Sequence, residues 1–143
     1  MTGKAPLIAE HVVQVRATPA AVWDVLTRAA NIREWDDVPE SFTADTLAAG
    51  SVLEWEGYAV LKVVEFDMPR SLRMAYHSPR WERPVDGIEY AYLLSPAASG
   101  CELTLRVGDW ALAPDGNARD YFDASVDFVA DAAAKIREMS ERR

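Results

Sequence analysis

Few side chains in this sequence could act as nucleophiles or metal ligands: two histidines, His11 and His77, and one cysteine, Cys101. The histidines fall in separate predicted strands without carboxylates at metal-ligand spacing, so the sequence predicts no metal site. Cys101 begins a predicted strand and has no neighbour that would activate a thiolate, which favours a small buried residue. Phosphate-binding glycine loops and G-x-S-x-G turns are missing, so neither nucleotide nor hydrolase chemistry is supported and no cofactor is expected.

Hydroxyl groups are better candidates for contacts with a ligand. Tyr76, Tyr90 and Tyr92 sit at alternating positions of two predicted strands, which places their side chains on one face of a sheet. A buried tyrosine hydroxyl needs a hydrogen-bond partner, so these groups could orient a ligand, or they could bond one another or water. Ser125, on a later predicted helix, could donate to a ligand oxygen or bond the carbonyl of the preceding turn.

The elements that would position these groups begin with a β-branched, alternating segment over residues 8–16, which predicts a strand. Thr18 and Pro19 then supply an N-cap hydroxyl and a proline at the first helical position, which predicts a short amphipathic helix. Asn31 with Glu34 three residues later resembles a capping box, and this pair predicts a second short helix that runs through Trp35.

Residues 42–109 are predicted to form a strand meander, because runs of period two alternate with turn-forming residues. Arg73 and Glu89 fall on the opposite register from the tyrosines and are expected to face solvent. The facing of residues 60–66 stays open, since both registers mix apolar and charged residues. The predicted inner face comprises Leu72, Met74, Tyr76, Ile88, Tyr90, Tyr92, Leu94, Leu103, Leu105 and Val107.

A long helix is predicted from residue 118 to the end, a stretch without proline or glycine. Its predicted apolar stripe is Phe122, Val126, Val129, Ala133 and Ile136. Small residues toward the sheet would leave room for a cavity rather than fill it: Ala118, Ser125, Ala132 and Ala133.

Composition limits the partners. The 143 residues suit one domain spanning 1–143, and half of them are hydrophobic. With 15 Lys and Arg against 23 Asp and Glu, the net charge of -8 disfavours nucleic acid and anionic membranes. No apolar run approaches the roughly 20 residues that span a bilayer. A single cysteine and the lack of a signal-peptide pattern in residues 1–7 predict a cytoplasmic protein.

Three segments resemble the START-like (SRPBCC) superfamily, which includes polyketide cyclases and Hsp90-ATPase-activator-like proteins. Residues 17–27 (ATPAAVWDVLT) are similar to its opening A-S-P-E-E-V-W-x-x-L-T, and residues 63–72 (VVEFDMPRSL) to its V-x-x-x-x-P-P-R-x-L turn, with Met68 in place of one proline. Residues 100–105 (GCELTL) resemble its G-T-x-L-T-L strand, with Cys101 in place of threonine.

This resemblance implies an α+β helix-grip (Bet v 1-like) fold, in which a curved antiparallel sheet, two short helices and a long C-terminal helix enclose a cavity. Members of the superfamily bind lipids, sterols, polyketides or aromatic metabolites; some catalyse cyclisation and some act on chaperones. A curved sheet covered by one helix favours a cavity on physical grounds as well. The alternative is that Trp23, Trp35, Trp55 and the tyrosines fill that space as ordinary core.

Two tryptophans, Trp35 and Trp110, are placed by the predicted topology at the cavity mouth. Trp81 lies in a polar loop and could cover the pocket, contact a partner chain or fold back onto the core. The predicted ligand-binding residues are Trp35, Trp55, Met74, Tyr76, Tyr90, Tyr92, Trp110, Phe122, Ser125 and Val129.

The first functional hypothesis is non-catalytic binding of a small apolar or aromatic molecule, oriented by tyrosine hydroxyls. The first alternative is a polyketide cyclase or aromatase-like enzyme, in which a tyrosine or carboxylate moves protons, although spacing identifies no acid and base pair. The second is a chaperone accessory protein that acts through its surface. A homodimer is compatible with the sequence, which leaves the oligomeric state open.

Overall fold

The computed structural model describes residues 5–142, and its six strands form one antiparallel sheet in the order β1-β6-β5-β4-β3-β2. Residues 1–4, in the N-terminal stretch searched for a signal peptide, and residue 143, at the end of the predicted terminal helix, lie outside this description. The elements are β1 (Ala9–Val15), α1 (Pro19–Thr27), α2 (Ala29–Trp35), β2 (Val52–Trp55), β3 (Ala59–Asp67), β4 (Ser71–His77), β5 (Glu89–Ala97), β6 (Gly100–Gly108), a 3-10 turn (Trp110–Leu112) and α3 (Ala118–Glu141).

The start of α1 confirms the predicted cap. Thr18 has an extended backbone, and its hydroxyl accepts a hydrogen bond from the Ala21 N–H at 3.1 Å, while Pro19 occupies the first helical position. The cap satisfies one of the free N–H groups of the first turn, and proline removes another that would lack a partner. The chain therefore turns from β1 into α1 where the sequence predicts it.

The start of α2 corrects the sequence prediction, because Asn31 lies inside the helix and is not its cap. Arg28 holds the N-cap position, and the Ala29 N–H donates to the Asp45 carbonyl at 2.8 Å. The Asn31 amide donates instead to the Asp24 carbonyl in α1, at 3.1 Å. A long-range backbone contact thus sets the helix boundary, and local capping chemistry does not reveal it.

A bulge in β3 explains why its facing was ambiguous. Leu61 and Val63 point inward and are buried, and the register with β4 then shifts between Val63 and Glu65. One extra residue, the exposed Val64, reverses the alternation, so that Phe66 faces inward opposite Leu72. Neither single register describes the whole strand.

The outer face of the sheet carries a row of charges around a small residue. Glu10, Arg106, Ala91, Arg73 and Glu65 are neighbours across five strands. Arg106 pairs with Glu10 at 2.7 Å, and Arg73 lies 3.8 Å from Glu65. Half-exposed ion pairs of this kind each contribute about 0.2–1 kcal/mol to stability. The outward facing predicted for Arg73 is confirmed.

Helix α3 crosses the inner face of the sheet on a stripe of mostly small residues. Ser125 takes the inward position beside Val126, which is 44 % exposed, so the predicted stripe was wrong at Val126. The other buried positions of the helix are Val129, Ala132, Ala133, Ile136, Met139 and Ser140. None of the helices in residues 5–142 combines the length and the apolar character needed to cross a membrane.

Overpacking the contact between α3 and the sheet should destabilise the fold. Ala133 is 0 % exposed, so Ala133→Leu inserts three carbon atoms where no space is open and should lower the free energy of unfolding by about 1–3 kcal/mol. Ala134→Leu, one residue along on the exposed side, should change it by less than about 0.5 kcal/mol. Urea unfolding measures both; equal effects would contradict the packing.

Candidate functional site

Aromatic rings fill most of the space between the inner face of the sheet and the first half of α3. Tyr76 lies at their centre: its ring is 5.0 Å from that of Trp110, 5.7 Å from Trp81 and 6.1 Å from Tyr90, centroid to centroid. We call the following set the aromatic cluster: Tyr76, Trp81, Tyr90, Trp110, Tyr121 and Phe128.

Four elements bring the cluster together. Tyr76 is the penultimate residue of β4 and Tyr90 the second residue of β5, and their rings stack because the two residues are diagonal neighbours on one face. Trp110 sits on the 3-10 turn that follows β6, and its ring stacks on Tyr121 of α3 at 4.8 Å. Phe128, two turns further along α3, meets Tyr90 edge-on at 5.7 Å.

A small crevice of about 190 Å³ remains beside the cluster. An apolar cavity of about 150 Å³ holds one benzene ring, so this crevice has room for a single substituted ring. It is smaller than the ~300–1,000 Å³ pockets that hold drug-sized ligands. Its lining residues are Tyr76, Tyr90, Trp110, Tyr121, Ala124, Ser125 and Phe128.

Three tyrosine hydroxyls on the inner face, those of Tyr76, Tyr90 and Tyr92, make no hydrogen bond within residues 5–142. Among the same residues, only Nδ1 of His77 is a side-chain nitrogen or oxygen that is both fully buried and without a partner. The tyrosine hydroxyls have no partner there either, so they are not fully buried and each still reaches accessible space. Burial raises the pKa of all three tyrosines, most strongly for Tyr92, which is 2 % exposed. They therefore stay protonated at neutral pH and can donate.

Ser125 faces the crevice and has one hydrogen bond. Its hydroxyl oxygen accepts from the Trp110 indole N–H at 2.8 Å, and both residues are buried. Its own proton has no acceptor among the described residues, so the hydroxyl can still donate. The predicted bond to the preceding-turn carbonyl does not form.

Asp36 does not line the crevice but influences the tyrosines near it, and the sequence did not single it out because it is there only part of a helix end. It follows Trp35, whose ring meets Tyr92 edge-on at 5.7 Å. Although the residue is exposed overall, partial burial of the carboxyl raises its pKa from 3.8 to about 6; Asp37 adds to the rise and Lys135 opposes it. Its charge in turn raises the pKa of Tyr90 and Tyr92.

The crevice brings together four of the ten predicted ligand residues: Tyr76, Tyr90, Trp110 and Ser125. Trp110 is 2 % exposed, and Trp35 is 5 % exposed with its N–H on the Val25 carbonyl at 2.9 Å, so neither forms an open mouth. The deeper core holds Trp35, Met74, Tyr92 and Val129. Trp23 is also core, edge-on to Phe66 at 5.1 Å.

Two predicted residues lie away from the crevice. Trp55 lines a surface groove of about 900 Å³ with Asp37, Glu40 and Tyr58, and its indole N–H donates to the Asp37 carboxylate at 2.9 Å. Phe122 is half-buried, with the Arg119 guanidinium 5.4 Å from its ring centre. The 900 Å³ groove is larger than the crevice but lies outside the space between sheet and helix.

The alternatives for Trp81 and Cys101 are resolved. Trp81 folds back onto the core and is 6 % exposed, in contact with Tyr76 and Tyr121. Cys101 is 1 % exposed, and burial raises the pKa of its thiol, which confirms a small buried residue. His11 lines a surface groove beside the end of α3.

No protein-family model and no curated protein sequence matches this chain. Solved structures match nearly all of it: a Bacillus halodurans protein has a TM-score of 0.69 at 14 % identity, covering 99 % of this chain and 100 % of that one. The Aha1 dimer of Colwellia psychrerythraea has a TM-score of 0.68 at 13 % sequence identity, covering 94 % of this chain and 96 % of that one. A polyketide-cyclase-like protein of Corynebacterium glutamicum has a TM-score of 0.63 at 14 % sequence identity, covering 96 % of this chain and 93 % of that one.

These likenesses, all at low sequence identity, show the fold. The chain has an α+β helix-grip fold, in which the long C-terminal helix packs across a curved antiparallel sheet. The three segments that resemble the superfamily in sequence fall where that fold requires a capped helix, a turn and a strand: α1, the β3–β4 turn and β6.

The raised pKa of Asp36 predicts a pH-dependent stability. The folded protein binds this proton more tightly than the unfolded chain, so the cost of the partly desolvated charge is absent below the ordinary pKa of 3.8 and grows as the pH rises to about 6. Asp36→Asn should therefore raise the melting temperature over wild type at pH 7 and leave it unchanged at pH 4. Asp86→Asn, in an exposed loop, serves as control. A gain for Asp36→Asn that is equal at both pH values would refute the assignment.

Proposed function

We propose that this protein binds a small aromatic molecule that carries a carbonyl or hydroxyl oxygen, in the crevice between the inner sheet face and α3. The observation that carries the proposal is a ring-sized space next to tyrosine hydroxyls that have no partner among the described residues. The hydroxyls are not fully enclosed, so water can satisfy them in the free protein, and a ligand oxygen would take the place of that water.

The walls of the crevice suit a flat ring. Phe128 and Tyr90 meet edge-on, and Trp110 and Tyr121 stack, so a bound ring can add either an edge-to-face or an offset-stacked contact, worth about 0.5–1.5 kcal/mol beyond area burial. Its volume of about 190 Å³ suits one ring and is too small to fold a long polyketide chain without movement of the walls.

The polar groups suit an oxygen acceptor. Tyr76 and Tyr90 line the crevice with hydroxyls that stay protonated, and Ser125 adds a third donor. No positively charged side chain is among the lining residues, so the crevice favours a neutral carbonyl or hydroxyl over a carboxylate. Binding of this kind needs no chemical step.

Acetophenone is a suitable probe because it combines one ring with one carbonyl. It should bind with local chemical-shift changes at Tyr76, Tyr90 and Phe128, followed by NMR titration. Tyr90→Phe removes a donor worth about 1 kcal/mol and should weaken acetophenone binding about fivefold, while binding of ethylbenzene, which lacks the oxygen, should not change.

Ala124→Phe places a ring inside the crevice and should weaken acetophenone binding at least about tenfold, a loss of about 1.4 kcal/mol. The matched control is Ala134→Phe, an exposed position further along the same helix. If both variants bind acetophenone as wild type does, or if wild type does not bind it at all, the crevice is not the ligand site.

A second candidate function, cyclase-like proton transfer, rests on Asp36. A carboxylate whose pKa is raised to about 6 is a better base near neutral pH than an ordinary one, and Tyr90 links its surroundings to the crevice. In this scheme a ligand that extends from the crevice as far as Asp36 loses a proton to that carboxylate from the carbon next to its carbonyl, and the tyrosine hydroxyls donate hydrogen bonds to the resulting enolate oxygen.

This scheme predicts exchange of the acetophenone methyl protons for deuterium. In heavy water the protein should accelerate the exchange at neutral pH, less so at pH 5 where Asp36 is protonated, and Asp36→Asn should abolish the acceleration. NMR integration of the methyl signal measures it. Exchange at the buffer rate, with acetophenone bound, would leave binding without chemistry as the function.

The chaperone hypothesis has less support, because the likeness to Aha1, at 13 % identity, concerns the fold. That protein is described as a dimer, and the sequence of this chain is compatible with a homodimer but leaves its oligomeric state open. Neither the chaperone hypothesis nor self-association explains why the tyrosine hydroxyls of the inner face have no partner among the described residues.

A further inference from the structure

Trp81 is held by the kinds of contact that would hold a bound aromatic ligand. It comes from the loop between β4 and β5, yet it is 6 % exposed, and its ring lies edge-on to the rings of Tyr76, His77 and Tyr121 at 5.7, 6.4 and 6.2 Å. Its indole N–H donates to the Asp115 carboxylate at 3.0 Å. Three rings and one acceptor therefore surround a two-ring donor; we call Tyr76, His77, Tyr121 and Asp115 the indole cage.

The acceptor of the cage is held independently of Trp81. One oxygen of Asp115 accepts from the Tyr121 hydroxyl at 2.5 Å as well as from the indole, and the other accepts from the Asn117 N–H at 3.0 Å. If Trp81 moved away, two of these three hydrogen bonds would remain. The cage would then present a positioned carboxylate oxygen to any new donor.

Trp81 also separates two hollows. The crevice of about 190 Å³ lies on the Tyr76 and Tyr121 side, and a hollow of about 490 Å³ lies outside, lined by Trp81 and Asp115 together with Arg80, Glu82, Arg83 and Pro114. Since Trp81 contacts two walls of the crevice and lines the outer hollow, its displacement would extend the outer hollow toward the crevice. The outer hollow of about 490 Å³ already falls in the ~300–1,000 Å³ range of ordinary ligand pockets.

One polar atom of the cage has no hydrogen-bond partner. Nδ1 of His77 is fully buried and has no hydrogen-bond partner within residues 5–142. The Trp81 ring offers it no second donor, because the one indole N–H is already bound to Asp115. The closed arrangement is thus incompletely satisfied, which favours its exchange for a ligand or water that reaches His77.

From this arrangement we infer that the indole cage is a second ligand compartment, that Trp81 fills it in the free protein, and that a two-ring aromatic molecule with an O–H or N–H donor displaces Trp81. One ring takes the place of the indole, with its donor on Asp115, and the rest of the ligand extends toward the crevice. The inference rests on the proposed function, since it extends the same site from single-ring to two-ring ligands.

The test uses 2-naphthol, which has two fused rings and an O–H donor, and 2-methoxynaphthalene, which has the same rings and no donor. On titration of the wild-type protein with 2-naphthol, the Trp81 side-chain N–H signal in a ¹H–¹⁵N spectrum, assigned with Trp81→Phe, should move to the position of a solvent-exposed indole. 2-Methoxynaphthalene should bind at least about fivefold more weakly.

Two variants separate the parts of the cage. Trp81→Ala removes the internal occupant and should tighten 2-naphthol binding about tenfold, because the ligand no longer competes with the indole. Asp115→Ala should abolish the preference for 2-naphthol over 2-methoxynaphthalene. If Trp81→Ala perturbs folding, Trp81→Phe, which keeps a ring but lacks the N–H, should still tighten binding.

A Trp81 signal that stays in place at saturating 2-naphthol would overturn the inference, as would equal affinity for the two naphthalenes in wild type. Acetophenone distinguishes this failure from that of the proposed function. If acetophenone binds the crevice while 2-naphthol leaves Trp81 in place, only the second compartment is wrong; if acetophenone does not bind, the proposed function itself fails.

Discussion

The contact between α3 and the concave face of the sheet determines the rest of this structure. Toward its C-terminal end the helix packs closely on the sheet, because the buried residues Ala132 and Ala133 have small side chains. Ile136 and neighbouring core residues fill the space between helix and sheet. Toward its N-terminal end, Tyr121 and the larger rings around it hold the space instead. One helix therefore has a dry, closed end and an aromatic end with a crevice, and polar groups collect at the second.

Aromatic side chains at that end both fill space and carry polar groups. Tyr76, Tyr90 and Tyr92 bury large ring surfaces, which stabilises the fold, yet their hydroxyls gain no hydrogen bond among the described residues. Each hydroxyl still reaches accessible space, so it can donate to water or to a ligand, whereas phenylalanine would bury the same ring without that donor. Two of these hydroxyls, those of Tyr76 and Tyr90, belong to residues that line the ring-sized crevice, and the proposed ligand binding depends on them.

Charge is placed at the two borders of the aromatic end. On the α2 side, partial burial raises the pKa of Asp36, and this carboxyl lies close enough to Tyr90 and Tyr92 to raise theirs. On the loop side, Asp115 accepts three hydrogen bonds, and its pKa is lowered by those from Tyr121, Asn117 and Trp81, which outweigh the desolvation that acts first against the charge. The two carboxylates thus differ: one is near its protonation midpoint at mildly acidic pH, and the other is a stable acceptor.

Local chemistry in the sequence determined the cap at Thr18, the strand faces of the tyrosines and the long terminal helix, because capping groups and side-chain periodicity act over a few residues. Tertiary structure decided the rest. A pairing with Asp45 moved the start of α2 away from Asn31, a bulge at Val64 reversed β3, and Ser125 replaced Val126 on the inward face. Crevice volume, the burial of Trp81 and the pKa of Asp36 depend on side chains that are distant in sequence, so only the folded chain defines them.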